Sequence, residues 1–152
     1  VRAILLCLMS LVACAKKPQA PPVDPTATVR FVTPPIDGTV ASIMASQLQR
    51  SAAEQRRVLL YAGASWCEPC RRFHEAVDRG ELNGKLGSLD LVAFNAQIDA
   101  ERMLLSGYES QFIPLFALPK ADGTASGQFI EGAKGGAVGD LVPQLATLLA
   151  PR

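Results

Sequence analysis

The chain has 152 residues, 49% of them hydrophobic and 19% charged, enough for one domain with a buried core, which excludes disorder along its whole length. A formal net charge of +1 offers no basic face to a nucleic acid, and four cysteines are too few for a miniature fold built on disulfides. Two of the cysteines, Cys7 and Cys14, lie near the N-terminus, and the other two, Cys67 and Cys70, lie close together in mid-chain.

Residues 1–13 place Arg2 before an apolar run from Ala3 to Val12 that only Ser10 interrupts. One positive charge, about ten apolar residues and a small-residue end make the layout of a secretory signal peptide. The run is too short to cross a bilayer, which takes about 20 apolar residues. Leu11-Val12-Ala13-Cys14 resembles the lipobox of bacterial lipoproteins. That resemblance implies cleavage before Cys14, lipid on its sulfur and, with Ala15 next rather than Asp, sorting to the outer membrane. Loss of Arg2 would leave 14 basic residues against 14 acidic, so lipid rather than charge would hold the protein to its membrane. Residues 14–36 carry prolines at 18, 21, 22, 25, 34 and 35 and read as an extended tether. At ~3.1 Å per residue, its Pro-rich part would reach about 60 Å.

The folded domain is expected over 37–152. Val40, Ile43, Met44 and Leu48 follow helical spacing, predicting a helix over about 39–56 with Asp37 as its cap. Val58 to Ala62 reads as a buried strand. A second helix follows the cysteine pair, marked by Phe73, Ala76, Val77 and Leu82. Leu89 to Phe94 reads as another buried strand, Ala100 to Tyr108 as a short helix, and Phe112 to Leu118 as strand-like around Pro114. A turn at Ala121–Thr124 leads to a strand near Gln128–Glu131, and a last helix carries Leu141, Val142, Leu145, Leu148 and Leu149. Alternating strands and helices ending in a hairpin predict an α/β domain with a central mixed β-sheet flanked by helices. The glycines at 132, 135, 136 and 139 do not have phosphate-loop spacing, which argues against a nucleotide site.

The chemistry is concentrated in Trp66-Cys67-Glu68-Pro69-Cys70, where a strand gives way to a helix. A thiol at a helix start lies near unpaired N–H groups and the positive end of the helix dipole, which favour its thiolate. Pro69 is tolerated there because its missing N–H has no helical partner to lose. Helical spacing puts Cys67, Arg71, His74 and Asp78 on a polar stripe and Cys70, Phe73 and Val77 on an apolar one. This predicts an exposed, attacking Cys67 and a buried, resolving Cys70, with His74 on a solvated helix face. Zinc held by Cys67, Cys70 and His74 lacks a fourth ligand, and haem attachment needs a histidine where Arg71 stands.

With Trp66-Cys67-Glu68-Pro69-Cys70 after the strand VLLYAGAS, a second strand ending Gln97-Ile98-Asp99, Ile113-Pro114 before an apolar strand, and a hairpin with Gly132, the sequence resembles the thioredoxin superfamily over about residues 37–150. The resemblance implies a thioredoxin-like fold, a redox-active Cys67–Cys70 disulfide, and a cis Pro114 beside it. Trp66, Pro69, Ile113 and Pro114 would then form the surface that receives substrate. Two positions depart from the thioredoxin pattern: its buried aspartate is replaced by Tyr61, and its buried lysine by Asn95. Without that acid the Cys67 thiolate is expected to be easier to form, with Glu68 the one opposing charge close by. The tetrapeptide CEPC also resembles that of membrane-tethered reductases of cytochrome c maturation, which carry a longer insertion before the proline.

These readings converge on a lipid-anchored, periplasm-facing thiol–disulfide oxidoreductase of the bacterial envelope. Its expected partners are disulfide-containing envelope proteins and a transmembrane thiol reductase as electron donor, and its chemistry needs no metal or organic cofactor. A disulfide-donating oxidant and a non-catalytic thioredoxin-like binding module are the alternatives.

Overall fold

In the computed structural model, residues 24–132 and 137–150 are described. Residues 1–23, on which the expected signal segment and the lipobox-like Cys14 fall, lie outside that range. Nine elements follow in chain order: β1 (Val29–Val32), α1 (Val40–Ala53), β2 (Arg57–Gly63), α2 (Glu68–Asp78), β3 (Leu89–Asn95), α3 (Ala100–Leu105), β4 (Leu115–Pro119), β5 (Ala125–Glu131) and α4 (Val138–Leu148). The five strands form one sheet in the order β1-β3-β2-β4-β5. The first three strands run parallel, and β4 and β5 are antiparallel to their neighbours. The expected α/β architecture with a mixed sheet is present.

The central strands are apolar without a break because both faces of the sheet are covered. Leu59 and Tyr61 of β2, Leu89 and Leu91 of β3 and Phe116 of β4 meet Phe73 and Val77 of α2 and Leu141, Leu145 and Leu148 of α4 on one face. Val58, Leu60 and Ala62, with Val92, Phe94 and Leu115, meet Val40, Ile43 and Met44 of α1 and Met103 of α3 on the other.

Several boundaries differ from expectation: α2 ends at Asp78, short of Leu82, and β4 begins at Leu115 rather than Phe112. Residues 29–32 are no tether: β1 pairs in parallel with β3, Val29 opposite Leu89 and Val32 opposite Val92. The prolines at 25, 34 and 35 bracket this strand without entering it, and inward-facing Val29 and Phe31 alternate as a sheet edge requires. The cap of α1 is Thr39, not Asp37: its hydroxyl accepts the Ser42 N–H at 3.1 Å, directly before the first buried residue, Val40. Helix α3 ends at Leu105, ahead of Gly107, whose φ of 80° leaves the helical region.

At the start of β3, Asp90 is wholly buried, and its carboxylate accepts hydrogen bonds from Ser51 at 2.6 Å, Gln47 at 3.0 Å, Arg56 at 2.6 Å and Arg30 at 2.8 Å. Burial alone would raise its pKa, but the Ser51, Arg30 and Arg56 bonds outweigh that cost and hold it below the ordinary aspartate value of 3.8. The cluster ties β1, α1 and the N-terminal edge of β2 to β3, at the end of the sheet away from the cysteines. Asp90→Asn should lower unfolding free energy in urea by about 3 kcal/mol or more, since it strands buried Arg56 without a counter-charge. The wild-type advantage should be full above pH 3.8 and vanish as acid titrates the carboxylate below it. Equal stability of the two proteins at neutral pH would show the cluster to be energetically idle.

Candidate active site

The site is built where β2 gives way to α2. The Cys67 N–H donates to the Ala64 carbonyl at 3.1 Å, closing a turn that pushes Trp66 outward. Cys67 is the N-cap of α2, and its sulfur accepts the Cys70 N–H at 3.2 Å. Glu68 is the first helical residue and Pro69 the second, so the N–H usually shared with a cap at that second position is absent and the Cys70 N–H takes the sulfur alone. The two sulfurs form a disulfide with Cα atoms 5.2 Å apart.

Cys70 is 1% exposed, as its apolar stripe predicts, but Cys67 is only 5% exposed rather than open to solvent. Ala64 and Ile113 pack around the pair, and in the oxidised state the cap geometry folds the Cys67 sulfur back over the helix end. The Ile113–Pro114 peptide is cis, as expected, and sits directly before β4. Pro114 is buried, and its carbonyl accepts the Gly132 N–H at 2.9 Å, which joins this loop to the end of β5. Glu131 holds the same loop from the other side. Its carboxylate accepts the Ser110 hydroxyl at 2.7 Å and the Gln111 N–H at 2.9 Å, and the Ser110 bond keeps its pKa below the usual glutamate range.

Trp66 is 65% exposed, and its indole N–H donates to the Gln97 side chain at 2.9 Å. Gln97 is held in turn by the Asn95 side chain, which accepts the N–H groups of Gln97 and Ile98, while Asp99 accepts the Asn95 N–H. Asn95 therefore organises a loop beside the disulfide. The sequence marks Gln97 only as part of a strand end, because nothing local announces a side chain that reaches back 31 positions. Ile98 and Phe112 add exposed apolar surface on the loops that carry Gln97 and Ile113.

Two expectations about charge and solvation are corrected. Glu68 does not stand as an isolated negative charge, because it pairs with Arg71 and, at 2.9 Å, with Arg72, all three at the surface. His74 does not lie on a freely solvated face. Its ring stacks on Phe31 of β1 at 3.9 Å and meets Tyr61 edge-on at 5.1 Å. Burial lowers its pKa, partly opposed by Asp78. Tyr61, at 1% exposure, fills the place where the resemblance expects an acid, and burial raises its pKa strongly, so its hydroxyl stays neutral. Among the described residues no cluster of three or more histidine, cysteine or acidic side chains could hold a metal ion.

The parallel strands β1, β3 and β2, the antiparallel β4–β5 hairpin, a Cys-x-x-Cys at the start of the helix after β2 and a cis proline before β4 decide the architecture. The fold is thioredoxin-like. No protein-family model matches the chain, and no curated protein matches it. Solved structures that are similar to it include thioredoxin O1 from Arabidopsis thaliana in its oxidized state, at 18% identity and a TM-score of 0.46, over 78% of this chain and 98% of that one. The oxidised thioredoxin from Plasmodium falciparum is similar at 19% identity and a TM-score of 0.43, over 78% of this chain and 99% of that one.

Proposed function

We propose that the protein is a thiol–disulfide oxidoreductase of the bacterial envelope that reduces disulfides in other proteins. The carrying observation is the Cys67 sulfur at the cap of α2, on the Cys70 N–H, where a thiolate is favoured by the donor and by the helix dipole.

In the reaction, the Cys67 thiolate attacks one sulfur of a substrate disulfide. A Cys67–substrate disulfide forms, and the first substrate sulfur leaves as a thiolate. Cys70, once deprotonated, attacks the Cys67 sulfur, the second substrate sulfur leaves, and Cys67–Cys70 closes. The substrate gains two electrons and two protons, and the protein loses the same. A transmembrane thiol reductase would return them by attacking Cys67–Cys70 in the same way. Ile113 packs against the pair, and with Trp66, Pro69 and Pro114 it would receive the substrate chain, the Gln97 bond fixing the Trp66 ring. Because Tyr61 is no base, the proton of Cys70 must pass to solvent or to the departing substrate thiolate.

The resemblance of Leu11-Val12-Ala13-Cys14 to a lipobox supports a position on the periplasmic side of a membrane, the outer one given Ala15 rather than Asp after the cysteine, with the segment up to β1 as the spacer. Cys14→Ala should move the protein from the membrane to the soluble fraction and abolish acyl labelling, and acylation that persists would contradict the anchor. For the redox step, the reduced protein should cleave the interchain disulfides of insulin. Cys67→Ser should be inactive, and Cys70→Ser should accumulate a mixed disulfide with the substrate. A Cys67→Ser protein with wild-type turnover would remove the reading altogether.

A further inference from the structure

The loop that leads into β4 carries Ile113 to the disulfide, where it packs on Ala64 and the cysteine pair. Its neighbour Phe112 has no place in the core and is 62% exposed. Residues 109–114 belong to no helix or strand, so their backbone N–H groups have no ladder to join. An exposed ring does not fix a backbone, which leaves the polar contacts to place this loop. Leu115, the first residue of β4, pairs with Glu131, the last of β5, and this register brings the Glu131 side chain to the loop. Its Oε2 atom accepts the Ser110 hydroxyl at 2.7 Å, the Gln111 N–H at 2.9 Å and the Phe112 N–H at 3.4 Å. The Ser110 oxygen accepts the same Phe112 N–H at 3.2 Å. Gly132 lies against the loop as well, since a Cβ at that position would stand 3.4 Å from the Phe112 Cβ. One carboxylate oxygen thus does for Gln111 and Phe112 what a neighbouring strand would do, with charge-assisted bonds that are stronger than neutral ones.

We propose that Glu131 is a positioning residue for protein substrates: by pinning the Ser110–Phe112 backbone it holds Phe112 and Ile113 where the polypeptide that carries the disulfide comes against Cys67. The proposal rests on the oxidoreductase reading. Among the described residues, the hydrogen bonds of the Glu131 carboxylate run to this loop and none to the cysteines. Its removal should therefore weaken the hold on a polypeptide and leave the thiol chemistry as it was, which is the signature of a raised KM with an unchanged kcat. All three bonds fall on Oε2, so the single carbonyl oxygen of a glutamine can take them and a leucine cannot.

The test compares the full-length wild type with Glu131→Leu, Glu131→Gln and Ser110→Ala on two disulfides. Insulin, reduced with dithiothreitol as terminal reductant, gives KM and kcat for a polypeptide, and 2,2′-dithiodipyridine, which offers no chain to bind, reports the Cys67 thiolate alone. Glu131→Leu should raise the KM for insulin about tenfold, the worth of a hydrogen bond to a charged group, with kcat and the dithiodipyridine rate within about twofold of wild type. Glu131→Gln should keep KM within about threefold. Ser110→Ala, which removes one bond and leaves β5 as it is, should raise KM about threefold, and it carries the test if Glu131→Leu does not fold. An unchanged KM in the variant that carries the test would overturn the proposal, as would an equal loss on insulin and dithiodipyridine. A Glu131→Gln protein as impaired as a folded Glu131→Leu would overturn it too, because the acceptor would then not be what matters. A wild type that reacts with dithiodipyridine but reduces no insulin would instead sink the oxidoreductase reading, and the role of Glu131 with it.

Discussion

The Cys67 sulfur caps the helix that carries its own redox partner, and the rest of the site depends on that single contact. An N-cap must leave the helical backbone region while its side chain turns back to an unpaired N–H. Cys67 meets both conditions, with extended backbone and its sulfur on the Cys70 N–H. The same geometry brings the two sulfurs together and places the Cys67 sulfur, the proposed nucleophile, where negative charge is favoured. Pro69 at the second helical position has no N–H to compete for the sulfur, and Glu68 is neutralised by two arginines.

The sheet makes this contact possible by fixing where α2 begins. Tyr61 and Leu59 on β2 anchor Phe73 and Val77 on α2, and the turn from Ala64 to Cys67 then has little freedom. At the far end of β3 the Asp90 cluster locks the edge strand and α1 into the same frame. Polar links between distant segments do comparable work around the disulfide. Asp99, Asn95, Gln97 and Trp66 form one chain of hydrogen bonds, and Glu131 with Gly132 fixes the loop before Pro114.

The helices and central strands were legible because their apolar spacing reflects which face is buried, and the Cys67–Cys70 motif was legible because its chemistry is local. Strand β1 was hidden by the prolines around it, and that one omission also misplaced His74, whose ring lies on Phe31 of that strand. The role of Gln97 was hidden for another reason, since its hydrogen bond to Trp66 joins loops after different strands.

The direct measure of the central claim is the pKa of Cys67 in the reduced protein, followed by thiolate absorbance with Cys70→Ser as the single-thiol reference. A cap on the helix N–H, with no ionised acid behind it, predicts a value at or below about 7, well under the ~8.5 of a free cysteine. A value of about 8.5 or above in the folded protein would contradict the account, because the helix end would then be giving the thiolate no stabilisation.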